Sequence, residues 1–192
     1  MPTQTRLLVF SGSLRQASCN HAIAMIASNG AKAAGADVTV LRLADHPLPL
    51  YNQDMEAQDG MPEEARKLKQ LFREHDGFII GCPEYNSSFT AAFKNVIDWV
   101  SRPEEGYPPL DGFKGKVAGI LSCSPGRLGG VKVLSSVRSV LSSIGVIVVP
   151  NKVGVPNIHE TLADGQLSDE TMQAAVEGVG RAVADMAACL RS

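Results

Sequence analysis

Five short apolar runs, set among stretches of helical periodicity, constrain this chain more than any other feature. They are Leu7–Phe10, Asp37–Leu43, Asp76–Cys82, Val117–Ser122 and Val146–Pro150. Runs of this length with little polar alternation read as strands buried on both faces. Strands that alternate with helices form a parallel sheet covered on either side. Right-handed crossovers then favour the order 2-1-3-4-5, with ligands outside the carboxyl ends near strands 1 and 3. The first helical pattern carries Ala22, Ile23, Ile26 and Ala27 on one face and is ended by Gly35. A second starts at Pro62, with Glu63 and Glu64 behind it, and reaches about His75. Others cover Phe89 to Val100, about Val131 to Ser143, and about Ser168 to Leu190, whereas Ala44 to Gly60 reads as a long loop. No repeat, linker or low-complexity stretch interrupts the chain, so residues 1–192 are expected to form one α/β domain.

The loops that leave strands 1, 3 and 4 are unusual, and all three fall on the same edge of such a sheet. In the first, Ser11, Ser13 and Ser18 supply hydroxyls, Asn20 an amide and Arg15 a guanidinium within ten residues. A helix begins directly behind them, and its unpaired N–H groups and dipole make an anion site. That inventory suits a phosphate monoester. The alternative is a plain strand-to-helix loop in which Ser18 is only an N-cap. No Gly-Lys-Ser/Thr follows, so this is not a Walker loop, and Gly12 stands alone where a dinucleotide fingerprint needs three glycines. The pattern favours a mononucleotide.

In the second loop Pro83 follows the strand at once, and Glu84-Tyr85-Asn86 exposes backbone groups and one aromatic. A planar heterocycle with N–H and C=O groups on its rim could pair there; the alternative is a turn whose tyrosine packs on a neighbour. The third loop carries Gly126, Gly129 and Gly130, where backbone could approach a flat ligand, or which simply make a flexible connection. Glu84 reads as a solvated carboxylate rather than a general acid. Asp98 and Arg102 stand four apart and read as a surface pair, and Trp99 as core or interface rather than cofactor stacking.

Composition removes other classes. A net charge of −2 without a basic run argues against nucleic acid. No apolar run approaches the ~20 residues of a membrane helix, and no signal-peptide pattern opens the chain. Four scattered cysteines, Cys19, Cys82, Cys123 and Cys189, show neither metal nor disulfide spacing and suit a reduced, cytoplasmic protein. Cys82 and Cys123 end buried strands and read as core, and Cys19 has no dedicated base or partner cysteine. The four histidines are scattered, so neither a metal cluster nor a Ser-His-Asp arrangement is visible.

Taken together, GSLRQASCN (Gly12–Asn20), LADHPLPLYNQD (Leu43–Asp54), PEYNSSFTAAFKNVIDWVSRP (Pro83–Pro103) and SPGRLGG (Ser124–Gly130) resemble the NADPH-dependent FMN reductase family, which includes quinone, chromate and azo reductases. The resemblance implies a flavodoxin-like three-layer sandwich that binds FMN and takes NADPH as co-substrate. By position, Ser13, Arg15, Ser18 and Asn20 should hold the phosphate. Pro83, Glu84, Tyr85 and Asn86 should line the isoalloxazine, and Ser124, Gly126 and Gly129 its other edge. It further implies a small-molecule electron acceptor such as a quinone, free flavin, azo compound or chromate. Hydride chemistry on the flavin needs no catalytic side chain. A homodimer or homotetramer is expected, with helices Phe89–Val100 and Val131–Ser143 as candidate interfaces. The rival readings are a flavodoxin-type electron carrier and a flavin-dependent protein-binding sensor. Carriers of that kind usually have a Thr-rich phosphate loop and marked acidity, neither of which is present here.

Overall fold

The structure, a computed structural model, describes residues 4–191. Strands β1 (Arg6–Ser11), β2 (Asp37–Val40), β3 (Gly77–Gly81), β4 (Val117–Cys123) and β5 (Ile147–Val155) form one parallel sheet in the order β2-β1-β3-β4-β5. This is the order expected from the sequence. β1, β3 and β4 are buried almost throughout, which explains their continuous apolar composition.

Helices α1 (Cys19–Ala33) and α7 (Glu170–Arg191) cover one face. On the other lie α3 (Glu63–Glu74), α4 (Ala91–Val100) and α5 (Val131–Ser143). The first layer packs Ile23, Ala27, Val179 and Val183 against Leu7, Val9 and Ile79. The second packs Leu68, Phe72, Phe93, Val96 and Val137 against Leu8, Phe10 and Ile120. α1 and α7 touch backbone to backbone. A Cβ on Gly30 would stand 1.9 Å from Glu177 O, and one on Gly180 1.8 Å from Ala27 O.

Several boundaries differ from the sequence expectation. The stretch 44–60 is not all loop, because α2 (Gln53–Asp59) forms within it, its N-terminus capped by the Asn52 side chain, which accepts from Asp54 N at 2.8 Å. No residue of α2 is buried, so no apolar stripe announces it. β2 ends at Val40, and a 3-10 turn follows at Leu43–Asp45. β5 runs past Pro150 to Val155, because the register with β4 slips: Ala118 faces Val148 while Ile120 faces Lys152. Pro150 lies in the extra residues of that bulge on an edge strand, where a missing N–H costs no ladder bond. Beyond β5, α6 (Ile158–Thr161) and the hairpin β6 (Leu162–Ala163) and β7 (Gln166–Leu167) precede α7.

Asp98 and Arg102 do not pair with each other. Asp98 takes Lys94 at 2.6 Å, and Arg102 reaches Glu56 of α2 at 2.8 Å. That pairing is the main cause holding the Glu56 carboxyl below its ordinary range. Trp99 is fully buried and donates Nε1–H to Pro49 O at 2.8 Å, with Tyr51 edge-on at 5.1 Å. The segment between β2 and α3 is thereby strapped across α4. Among the described residues, no helix is long and apolar enough to cross a membrane.

Candidate functional site

The first, second and third loops meet at the carboxyl edge of β1, β3 and β4. They enclose a cavity of about 140 Å³ lined by Ser13, Arg15, Ser18, Asn20, Pro83, Glu84, Tyr85 and Ser124, all expected from the sequence. Cys19, Cys123, Pro125, Ile158 and His159 complete the lining. Asn86, Gly126 and Gly129 lie outside it. Larger grooves exist, notably an apolar one of about 490 Å³ between α4 and the segment 43–50. That groove is lined by no Arg, Lys, Ser or Thr that would hold a phosphate, so size alone does not locate the chemistry.

The phosphate loop is organised by its own hydroxyls. Ser11 Oγ accepts from Ser13 N at 3.2 Å, and Ser13 Oγ accepts from Arg15 N at 3.2 Å. Ser18 caps α1, its Oγ accepting from His21 N at 3.2 Å. Each hydroxyl so used as an acceptor keeps its O–H to donate. The amides of Cys19 and Asn20, first in the helix, have no intrahelical carbonyl to bond. Arg15 is exposed, and no carboxylate pairs with it among the described residues. A cluster of donors around one unpaired cation fits a dianionic phosphate monoester such as that of FMN.

Arg42 is a second cation beside this loop that sequence reading misses, since it lies on the stretch after β2. Its Nη2 donates to Gln16 O at 2.8 Å, and it gathers with Ser11, Ser13, Arg15 and His21 around a space of about 10 Å³. Burial, and secondarily the charge of Arg42, hold the His21 pKa below 6.5, so its imidazole is neutral at pH 7. The Asn20 side chain is also bonded to the end of β4. Its Nδ2 donates to Cys123 O at 3.2 Å while its Oδ1 accepts from Cys123 N at 3.0 Å. Both ends of the amide thus tie the first turn of α1 to the end of β4, forming the cavity floor.

In the second loop, Tyr85 N donates to Ser88 O at 2.9 Å and Ser88 N to Tyr85 O at 3.0 Å. Asn86 and Ser87 between them adopt φ of 51° and 66°. Two consecutive left-handed residues match a type I′ turn, a conformation of order 1 kcal/mol or more unfavourable per non-glycine residue. The turn presents Tyr85, 56% exposed, at the cavity mouth. Thr90 anchors the end of this loop, its hydroxyl donating to Gly12 O at 2.5 Å and accepting from Phe93 N. Glu84 is not simply solvated: its Oε2 accepts from Val133 N at 3.1 Å, in the first turn of α5.

The third loop is tied inward, with Ser122 Oγ donating to Gly129 O at 2.8 Å. A Cβ on Gly129 would stand 2.7 Å from the Gly154 and Val155 backbone, so this glycine serves packing against β5. Gly126 meets nothing closer than 3.7 Å and leaves the approach open. Ile158 N donates to Ser124 O at 3.2 Å, which brings His159 within 4.0 Å of Cys19 Sγ. The short α6 carries no sequence signal that would place it here. Burial pushes the Cys82 and Cys123 thiols far above their ordinary pKa, in keeping with core roles. Among the described residues, no group of three or more His, Cys, Asp or Glu side chains is arranged to hold a metal.

Comparison with known proteins bears on the fold and the family. A family model described as NADPH-dependent FMN reductase matches residues 5–160. An NAD(P)H-dependent FMN reductase of Pseudomonas aeruginosa is 34% identical over 146 residues, covering 76% of this chain and 74% of that protein. A quinone reductase of Escherichia coli K12 is 32% identical over 185 residues, covering 90% and 93%. Among solved structures, the flavoenzyme NAD(P)H:(acceptor) oxidoreductase FerB of Paracoccus denitrificans superposes with a TM-score of 0.77 at 28% identity, over 94% of this chain and 98% of its own. With its flavodoxin-like fold and a cavity whose donors suit a flavin mononucleotide, the chain belongs to the NADPH-dependent FMN reductase family.

Proposed function

We propose that this protein is an FMN-dependent NAD(P)H oxidoreductase that reduces a small-molecule acceptor, with a quinone as the first candidate. One observation carries the reading. The donor set for one phosphate, Ser13, Arg15, Ser18 and the first amides of α1, opens into the same cavity as Pro83, Tyr85 and Ser124. FMN held there would supply the redox chemistry, hydride acceptance from NAD(P)H and two-electron transfer to the acceptor. The chain's own residues bind and orient. Arg15 and the serine hydroxyls hold the phosphate, Arg42 braces their loop, and Asn20 fixes the floor. The exposed Tyr85 flanks the mouth without covering it, which leaves room for a nicotinamide or an acceptor to enter in turn. Acid–base catalysis by a protein side chain is not needed.

The quinone follows from the E. coli relative; azo compounds, free flavin and chromate stay in the acceptor panel. We further take the protein to be a homodimer or homotetramer acting in the cytoplasm, where the thiols of Cys19, Cys82 and Cys123 would remain reduced.

The test is anaerobic mixing of the FMN-loaded protein with NADPH or NADH. The oxidised flavin absorbance should disappear in one two-electron process, and a benzoquinone should restore it. A flavin untouched by either nucleotide but reduced by dithionite would refute the reductase reading in favour of an electron carrier. Release of FAD rather than FMN on denaturation would refute the single-phosphate site.

A further inference from the structure

α5 is preceded by Gly130, a left-handed residue with φ of 74° and no side chain to cap the helix. Val131 N donates back to Leu128 O at 3.1 Å, and the next N–H groups of the first turn need an acceptor from elsewhere. Glu84 provides one from 49 positions earlier in the chain, its Oε2 accepting from Val133 N at 3.1 Å. A carboxylate suits that place, since the helix dipole favours negative charge there. The same residue lies between Pro83 and Tyr85 and lines the cofactor cavity. Beyond it stands the turn with two left-handed non-glycine residues, a conformation that persists only when its surroundings enforce it.

We propose that Glu84 is a positioning residue whose carboxylate, by capping α5, clamps the Tyr85 turn to the third loop and so sets the slot that receives the flavin ring. This rests on the FMN reading of the cavity. The clamp gives Glu84 two separable effects. As a hydrogen-bond acceptor it fixes the spacing of two loops beyond the point where β3 and β4, the strands they leave, stop pairing. As a negative charge lining the cavity it opposes the addition of electrons to whatever occupies that space.

Two variants separate these effects. Glu84→Gln keeps an acceptor oxygen and loses the charge, whereas Glu84→Ala loses both. Hydrogen exchange at the Val133 amide and FMN titration are measured on wild type and both variants, with the flavin midpoint potential read on the loaded proteins. In Glu84→Ala, Val133 should exchange about tenfold faster and FMN should bind about tenfold more weakly, the loss of one charge-assisted hydrogen bond. Glu84→Gln should recover most of both. The potential should rise in both variants, since both remove the charge. Faster Val133 exchange with unchanged FMN affinity would make Glu84 a helix cap only and overturn the proposal. So would a Gln variant that binds FMN as weakly as the Ala variant, or an Ala variant equal to wild type in both measurements. Wild-type protein that binds no FMN would instead overturn the cofactor reading itself, and the positioning role with it.

Discussion

Arg15 and Arg42 differ in how far local sequence reveals them. The hydroxyls and guanidinium of 11–18 sit in one short stretch, so their chemistry is legible in the sequence alone. Arg42 reaches the same loop only because β2 lies beside β1, and Asn20 reaches Cys123 across 103 positions. Arg15→Ala removes the cation nearest the phosphate site. Loss of one charge-assisted hydrogen bond, about 1.5–3 kcal/mol, should weaken FMN binding roughly 10- to 150-fold. Arg42→Ala should weaken it less, because Arg42 bonds a loop carbonyl. Equal losses in a calorimetric titration would show that both guanidinium groups touch the phosphate. A second residue-scale prediction concerns His75, buried at the end of α3. Its Nδ1 lies 2.6 Å from Leu71 O and must donate there, while Nε2 is buried without a partner among the described residues. Burial first, then the charges of Arg6 and Lys116, hold its pKa below 6.5, although the Leu71 bond and Glu74 act the other way. The unfolded chain therefore takes up this proton near pH 6.5 while the folded protein resists it, and stability should fall as pH drops below that value. His75→Phe should flatten the pH dependence of the urea midpoint between pH 6.5 and 5. An unaltered slope would assign the acid sensitivity to other groups.

Elements are legible where periodicity and burial agree. α5 matches its expected bounds, and β1, β3 and β4 announce themselves because both their faces are buried. α2 escapes notice because it buries nothing, and β5 reads too short because Pro150 looks like a strand end although it sits in a bulge. The contact of α1 with α7 is equally hidden, since a glycine in a helix reads as a weakness until its neighbour is known. Gly178 and Gly180 make the distinction testable within one helix. A Cβ on Gly178 meets nothing within 4 Å, so Gly178→Ala should stabilise by up to about 1 kcal/mol through helix propensity. A Cβ on Gly180 would strike the Ala27 carbonyl. Forcing the two helices apart costs about 1–3 kcal/mol or more, which exceeds the propensity gain, so Gly180→Ala should destabilise. Thermal melts of the two variants that shift in the same direction would contradict this account.

At the scale of the molecule, the fold is legible because parallel strands with right-handed crossovers admit few orders. The surface is not, because which apolar residues stay exposed depends on loops that cross helices. Trp99 illustrates the difference. Its place on an apolar helix reads as core or interface, and the chain's own segment around Pro49 and Tyr51, by covering it, makes it core. Part of the apolar surface left over lies beside that strap, apart from exposed side chains elsewhere such as Leu128 and Val131. Leu50 is 77% and Leu14 57% exposed, at the rim of the groove formed with Leu43, Pro47, Leu48, Ala91, Ala92 and Val96. Leu14 belongs to the phosphate loop, so burying this rim against a second copy would place the subunit contact next to the cofactor. Full burial of one leucine is worth about 1.5–3 kcal/mol, and a two-fold interface counts each residue twice. The wild-type protein should therefore scatter light at twice its 20.4 kDa chain mass or more at micromolar concentration. Leu50→Asp would bury two uncompensated carboxylates in such an interface and should shift the population toward the monomer, with its circular dichroism unchanged. A wild-type monomer would remove the assembly from the proposed function. A Leu50→Asp protein that still assembles at full strength would move the contact to another face, with the exposed start of α5 at Val131 as the next surface to probe.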